Sequence, residues 1–283
     1  MKNRRLEIMK AQFRADKGMW LSAAFLIFII GACIAVGFSK ADPNAIDVQS
    51  MLTGPSKEHW FGTDELGRDY FIRVLYGARV SLLVGILAML TSLFIGIAVG
   101  MCSGYFGGII DSIFMRIVDV FCAVPWIIMV TVISLLFKRG LVSIIIVIGL
   151  FSWMEIARLV RTETMSAKNR EYVQYAQLIG VPKWKIMFKH ILPIIFPVII
   201  TAATSAIANA ILVESSMSFL GIGIQPPMAS WGSLLQTAQT NLAKAPYMAF
   251  IPGLLIVLTI CSFNKLGDLL RLYAEPRTLQ EEK

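Results

Sequence analysis

Six stretches of this chain carry no Asp, Glu, Lys or Arg over lengths comparable to a lipid bilayer: Met19–Phe38, Val80–Met101, Val120–Phe137, Leu141–Met154, Ile191–Val213 and Ala245–Phe263. A helix rises about 1.5 Å per residue, so about 20 apolar residues cross the hydrocarbon core, where each backbone donor must find its acceptor inside the protein. The sequence therefore predicts an all-α, polytopic membrane protein with six transmembrane helices. The fourth run is short, which predicts that its helix continues past Glu155 toward Arg158, whose long side chain reaches the headgroups. Hydrophobic residues make up 57% of the chain and charged ones 16%, a balance outside the soluble range.

The basic residues Lys2 to Lys17 followed by an apolar run also resemble a signal peptide, with Ile30-Gly31-Ala32-Cys33 as a loose lipoprotein cleavage box. The run continues beyond Cys33 to Phe38, longer than a signal core, so we read it as the first span. With the N-terminus inside, the inner segments hold 18 Lys and Arg and the outer ones 8. That bias predicts both termini in the cytoplasm. The net charge of +8 is dispersed between apolar runs without a basic, aromatic-interleaved stripe, which argues against nucleic acid as a partner.

The resulting plan is a cytoplasmic segment 1–18, a first helix 19–38, an extracytoplasmic loop 39–79, a five-helix core 80–263 and a cytoplasmic tail 264–283. Within the core, residues 169–193 form a charged, punctuated stretch on the inner side. Asn169 is suited to cap a first short helix, Gly180 to end it, and Pro182 to open a second. Val173, Ala176 and Ile179, then Trp184, Met187, Phe188 and Ile191, recur at helical spacing. Spacing alone is equally consistent with a loop whose basic residues only set topology.

In the outer loop, Gly62 and Gly67 bracket a turn, and Asp64, Glu65, Arg68 and Asp69 interleave their signs as on a short surface helix. On charge pattern this reads as a solvated, self-paired loop leading into the second span. Asp119 and Glu214 fall at span edges, where charge is tolerated near the interface. Pro125 reads as a helix kink, and Gly221, Pro226 and Pro227 as turn formers.

The segment 169–193 resembles the EAA loop of permease subunits in bacterial ABC importers. Gln174, Tyr175 and Ala176 stand at its Glu-Ala-Ala positions, Gly180 matches its glycine, and Ile191, Leu192 and Pro193 match its ending. Two of the three name-giving residues depart from the pattern. The run Gly62-Thr63-Asp64-Glu65-Leu66-Gly67-Arg68-Asp69 resembles a signature of the peptide and nickel importers, in the second of their two permeases. Further words fit in order: Gly104 to Gly108, Arg116 to Asp119, Ser218 to Gly221, Gln225 to Pro227, Ser230 to Gly232, Phe263-Asn264 and Gly267-Asp268.

The resemblance implies the type I importer permease fold and a twelve-span pathway shared with a homologous second permease. It also implies two cytoplasmic ATPases, an extracytoplasmic substrate-binding protein and alternating access. Dipeptides or oligopeptides are the implied cargo, with nickel or a metal chelate as the alternative. An ATPase-coupling interface is implied at Glu171, Gln174, Tyr175, Ala176, Gly180, Trp184, Met187, Phe188 and His190. In it Trp184, Met187 and Phe188 would anchor in the ATPase, and the neighbouring lysines would orient it. Glu214, with Ser218 and Phe219, is a candidate lining of an outer gate.

No phosphate-binding Gly-x-x-x-x-Gly-Lys-Ser/Thr loop occurs, so no cofactor is expected on this chain, and ATP with magnesium is expected on the partner ATPases. Neither an enzymatic site nor a metal site is expected. His59 and His190 lie in loops on opposite sides, and Cys33, Cys102, Cys122 and Cys261 read as lipid- or core-facing thiols. An ion-coupled secondary transporter is the rival of another class. It would place ionisable groups deep in its spans, and the six runs contain none.

Overall fold

The longest helix begins where Asp69 turns its carboxylate onto the backbone N–H of Ile72, 3.0 Å away, as an N-cap. This structure, a computed structural model, describes residues 16–39, 41–136 and 140–274. The basic residues Lys2 to Arg14, Lys40, Phe137 with Lys138 and Arg139, and the tail from Glu275 lie outside the described residues. The helices are α1 (Lys17–Phe38), α2 (Tyr70–Phe106), α3 (Gly108–Cys122), α4 (Trp126–Leu136) and α5 (Leu141–Lys168). They are followed by α6 (Glu171–Leu178), α7 (Lys183–Ile186), α8 (Leu192–Phe219), α9 (Trp231–Asn241) and α10 (Tyr247–Ala274).

Among the described residues five helices are long and apolar enough to cross a membrane, and the bent pair α3–α4 makes a sixth when counted as one span. No strand occurs among them beyond an isolated bridge between Thr63 and Asp69.

The helices depart from the expected runs at two places. Residues 70–79, placed in the outer loop, are the first turns of α2. Tyr70 and Val74 are buried there with Leu234, Ala238 and Met248, and the Tyr70 hydroxyl donates to the Met248 carbonyl at 2.6 Å. The third span, read as one run from Val120 to Phe137, is broken between Cys122 and Trp126, where α3 and α4 meet at 83°. Pro125 lacks the N–H that would carry the helix through and disfavours helical backbone at Val124. Arg116 to Asp119 lie within α3. The fourth helix continues past Arg158, as expected, and reaches Lys168.

The bundle is tightest between α2 and α5. Gly96, Gly100 and Gly104 repeat every fourth residue along α2, and a Cβ on each would come within 2.6 Å of Ile156 Cγ2, Ala157 O and Arg161 O respectively. Such small-residue seams let helices pack at backbone contact where no hydrophobic drive from water exists. At the end of this seam Arg161 Nε and Nη2 hold Asp111 of α3 at 2.5 and 2.6 Å, and Ser103 of α2 donates to the same carboxylate. α1 packs across α10 and α2 through Leu26, Ile29 and Cys33. Asp16 caps it by accepting from Gly18 N at 2.8 Å and pairs with Lys265 Nζ of α10 at 3.0 Å.

Candidate functional sites

The segment between α5 and α8 forms a knuckle at one end of the bundle. Asn169, expected to cap the first arm, instead closes the end of α5, and Arg170 takes the N-cap position of α6 without a side-chain bond. At the other end of α6 the expectation for Gly180 holds. Its φ is +79°, Gly180 N donates to Gln177 O, and Val181 N donates to Ala176 O, both at 3.1 Å. This pair of bonds satisfies the last carbonyls of α6, and a left-handed residue at that point favours glycine. Pro182 precedes the second arm as its N-cap, and Lys183 is its first helical residue. The second arm passes through a π turn, Met187–Ile191, directly into α8. The second arm is therefore an extension of a membrane-spanning helix, and the first follows α5 after the break at Asn169 and Arg170.

Each arm has two faces. Val173, Ala176, Ile186, Met187 and Ile191 are buried together with Met101 and Tyr105 of α2 and Val160 and Ala167 of α5. Lys168 ties the same corner, with Nζ donating to Tyr105 O at 2.7 Å. On the outward face Tyr175, Leu178, Ile179, Trp184 and Phe188 are each more than half exposed. Glu171 and Gln174 are exposed beside them, and His190 is half-buried. Two of the expected contact residues lie on the inner face: Met187 and Ala176 are only 7% and 4% exposed, because their positions turn inward, and they help to fasten the knuckle.

Leu178 was absent from the expected interface although it is the most exposed apolar residue of the segment, at 84%. The signal was available: Tyr172, Tyr175 and Leu178 repeat every three residues, a second apolar stripe opposite Val173 and Ala176.

At the opposite end, Asp64 is 2% exposed, which overturns the reading of its loop as solvated. Its Oδ1 accepts from Leu66 N and Arg68 N, both at 3.0 Å, and its Oδ2 from Arg68 Nε at 2.7 Å. Arg73 Nε forms an ion pair with the same oxygen at 3.3 Å. Gly67, at φ +73°, presses against Asp47, and Tyr247 donates to the carbonyls of Thr53 and Thr63, so the loop is fixed onto α10. Burial of Glu65 without a partner for Oε2 raises its carboxyl above the ordinary range.

Glu214, expected at a span edge, is fully buried in α8. Ser81 and Ser218 hydroxyls donate to its carboxylate at 2.9 and 2.7 Å, Trp231 N donates to Ser81 Oγ, and Ile224 N donates to Ser218 Oγ. Glu214 and Ser218 thus hold the returning loop 220–232 against α2 and α8, facing protein and not an opening. Phe219 alone of the three is exposed, at 41%. The helices of this bundle also reach beyond the uncharged runs, so Glu155 in α5 and Glu214 in α8 lie within spanning helices. Beside α5 and α8 lie two adjoining cavities of about 620 and 610 Å³ that share Ser152, Glu155 and Asn209.

Comparison with known proteins agrees with this architecture. Residues 92–280 match the family described as binding-protein-dependent transport system inner membrane component. The chain is 37% identical over 267 residues to the oligopeptide transport system permease protein OppC of Bacillus subtilis, covering 94% of this chain and 88% of that protein. It is 39% identical over 268 residues to the dipeptide transport system permease protein DppC of the same organism, covering 93% and 84%. The glutathione transport system permease protein GsiD of Pectobacterium atrosepticum is 39% identical over 234 residues, covering 83% and 78%. With its helices of membrane-spanning length and a family match over most of the sequence, this chain belongs to the binding-protein-dependent transport system inner membrane component family.

Proposed function

We propose that this chain is one permease of an ATP-driven peptide importer, working with a homologous second permease, two ATPases and an extracytoplasmic binding protein. The names of its relatives support a cargo of dipeptides, oligopeptides or similar small peptides. The observation that carries the coupling role is the knuckle. An outward apolar face of Tyr175, Leu178, Trp184 and Phe188 stands on residues buried among the ends of α2, α5 and α8. Four exposed aromatic or aliphatic side chains at a helix–turn–helix corner fit a groove on another protein, in the manner of interface anchors. Because α6 follows α5 and the second arm runs into α8, displacement of the corner moves two spanning helices as levers.

The Lys and Arg bias supports a cytoplasmic position for the knuckle and for both termini. The chain itself supplies no ATP chemistry in this reading, so hydrolysis falls to the partner ATPases. Co-purification tests it. Wild type brings the ATPases through detergent extraction, whereas Leu178→Ser with Trp184→Ser retains the partner permease and loses them. ATPases held equally by both proteins would move the coupling surface elsewhere.

Glu155 and Glu214 inside spanning helices give the ion-coupled alternative its one physical support. Uptake by the complete assembly that follows an ion gradient and ignores ATP would select that reading.

A further inference from the structure

The two adjoining cavities define a continuous groove along α5 and α8, lined by two facing polar stripes and, from α10, by Arg271. Ser152, Glu155 and Glu163 lie on one face of α5, and Thr201, Ser205 and Asn209 follow at four-residue spacing on α8. Glu155 and Asn209 are exposed and make no hydrogen bond or ion pair among the described residues. Glu155 lies about 20 Å along α5 from its start, and Asn209 about 15 Å from the end of α8, so both sit within the hydrocarbon thickness. A carboxylate turned to acyl chains costs about 3 kcal/mol or more, and an unpaired amide adds to that. By contrast, exposed side chains of α2 such as Leu90 and Phe94 are apolar. The groove is therefore built to face water.

We infer that this groove is the wall this chain contributes to the peptide path, and that Glu155 receives the cationic amino terminus of the passing peptide. The inference rests on the peptide-importer reading. A space of this size falls in the range that accommodates small ligands. Its hydroxyls and its amide match the donors and acceptors of a peptide backbone, and apolar Leu159 and Val198 between them make no demand on side-chain identity. Glu155 and Glu163 outnumber Arg271, the cation in the same lining, and the net negative charge selects a positive end.

The test uses the assembled importer in proteoliposomes, with trialanine as cargo. Glu155→Gln lowers ATP-driven uptake at least tenfold at unchanged assembly, and Glu155→Asp stays within threefold of wild type. Independently of any cargo, Asn209→Cys is placed in a chain whose Cys33, Cys102, Cys122 and Cys261 are replaced by serine. A cationic, membrane-impermeant thiosulfonate labels it, and adding Glu155→Gln slows that reagent severalfold without slowing an anionic one. Unchanged uptake in Glu155→Gln overturns the inference. So does an unreactive Asn209→Cys, which would mean that lipid or the second permease covers the groove, and so do labelling rates indifferent to Glu155. Wild type that takes up no trialanine defeats the importer reading instead, and the labelling rates then still judge the groove.

Discussion

Gly100 of α2 faces the carbonyl oxygen of Ala157 in α5 so closely that a Cβ on the glycine would stand 2.6 Å from that oxygen. Gly104 makes an equivalent approach to the carbonyl oxygen of Arg161 one turn after, whereas Gly96, one turn before, meets the Ile156 side chain first. The Gly100 contact is backbone to backbone, so no rotamer change can relieve an added side chain. Gly100→Val is expected to destabilise the protein by about 2–3 kcal/mol, as overpacking of a close interface does. Gly31→Ala, where nothing lies within 4 Å, is expected to be neutral or slightly stabilising. Thermal unfolding of both variants in one detergent measures the difference.

Two aspartate–arginine pairs at opposite ends of the bundle separate burial from geometry. The Asp64–Arg68 pair has side chains 2% and 12% exposed, with Arg73 beside it at 7%, whereas Asp119–Arg158 is about half exposed on both sides. Both are 2.7 Å long. Asp64→Ala leaves buried guanidinium charge without its partner and is expected to cost about 3–5 kcal/mol. Asp119→Ala is expected to cost less than about 1 kcal/mol. Denaturant titration in mixed micelles distinguishes the two, and equal costs would refute the burial argument.

Glu65 gives a pH-dependent prediction. Its carboxyl is raised chiefly by burial, so the folded protein disfavours the charged form relative to the unfolded chain. Stability from this group is therefore lost as pH rises through the carboxylate range and stays low at neutral pH. Glu65→Gln is expected to raise the melting temperature at pH 7 and to have little effect below about pH 4, where the native side chain is already protonated. A variant that melts below wild type at pH 7 would show that the Arg68 pairing at 3.6 Å outweighs burial.

Local signals carried much of this architecture. Uncharged runs announced the spans, and the short fourth run correctly implied a helix continuing past Glu155. Gly180 was readable because a helix end depends on only a few neighbouring residues. What the sequence hid depended on distant parts of the chain. The start of α2 at Tyr70 requires Met248, and the burial of Asp64 requires its loop to be fixed by Tyr247 of α10. Glu214 looked like an interfacial charge because loop 220–232, which covers it, lies adjacent in sequence but returns in space. Pro125 announced a break without its size, which is 83° between α3 and α4. In the knuckle, periodicity identified the apolar residues without showing which stripe faces inward. Met187 accordingly proved buried and Leu178 exposed.

The central claim is that the exposed side chains of the knuckle convert ATP turnover into peptide movement. The most direct measurement is trialanine uptake by the complete importer in proteoliposomes, with and without ATP, for wild type and for Trp184→Ala with Phe188→Ala. Wild type is expected to accumulate peptide only with ATP. The double variant, correctly assembled with its partner permease, is expected to fall at least tenfold. Uptake that persists without ATP, or a double variant as active as wild type, would contradict the account.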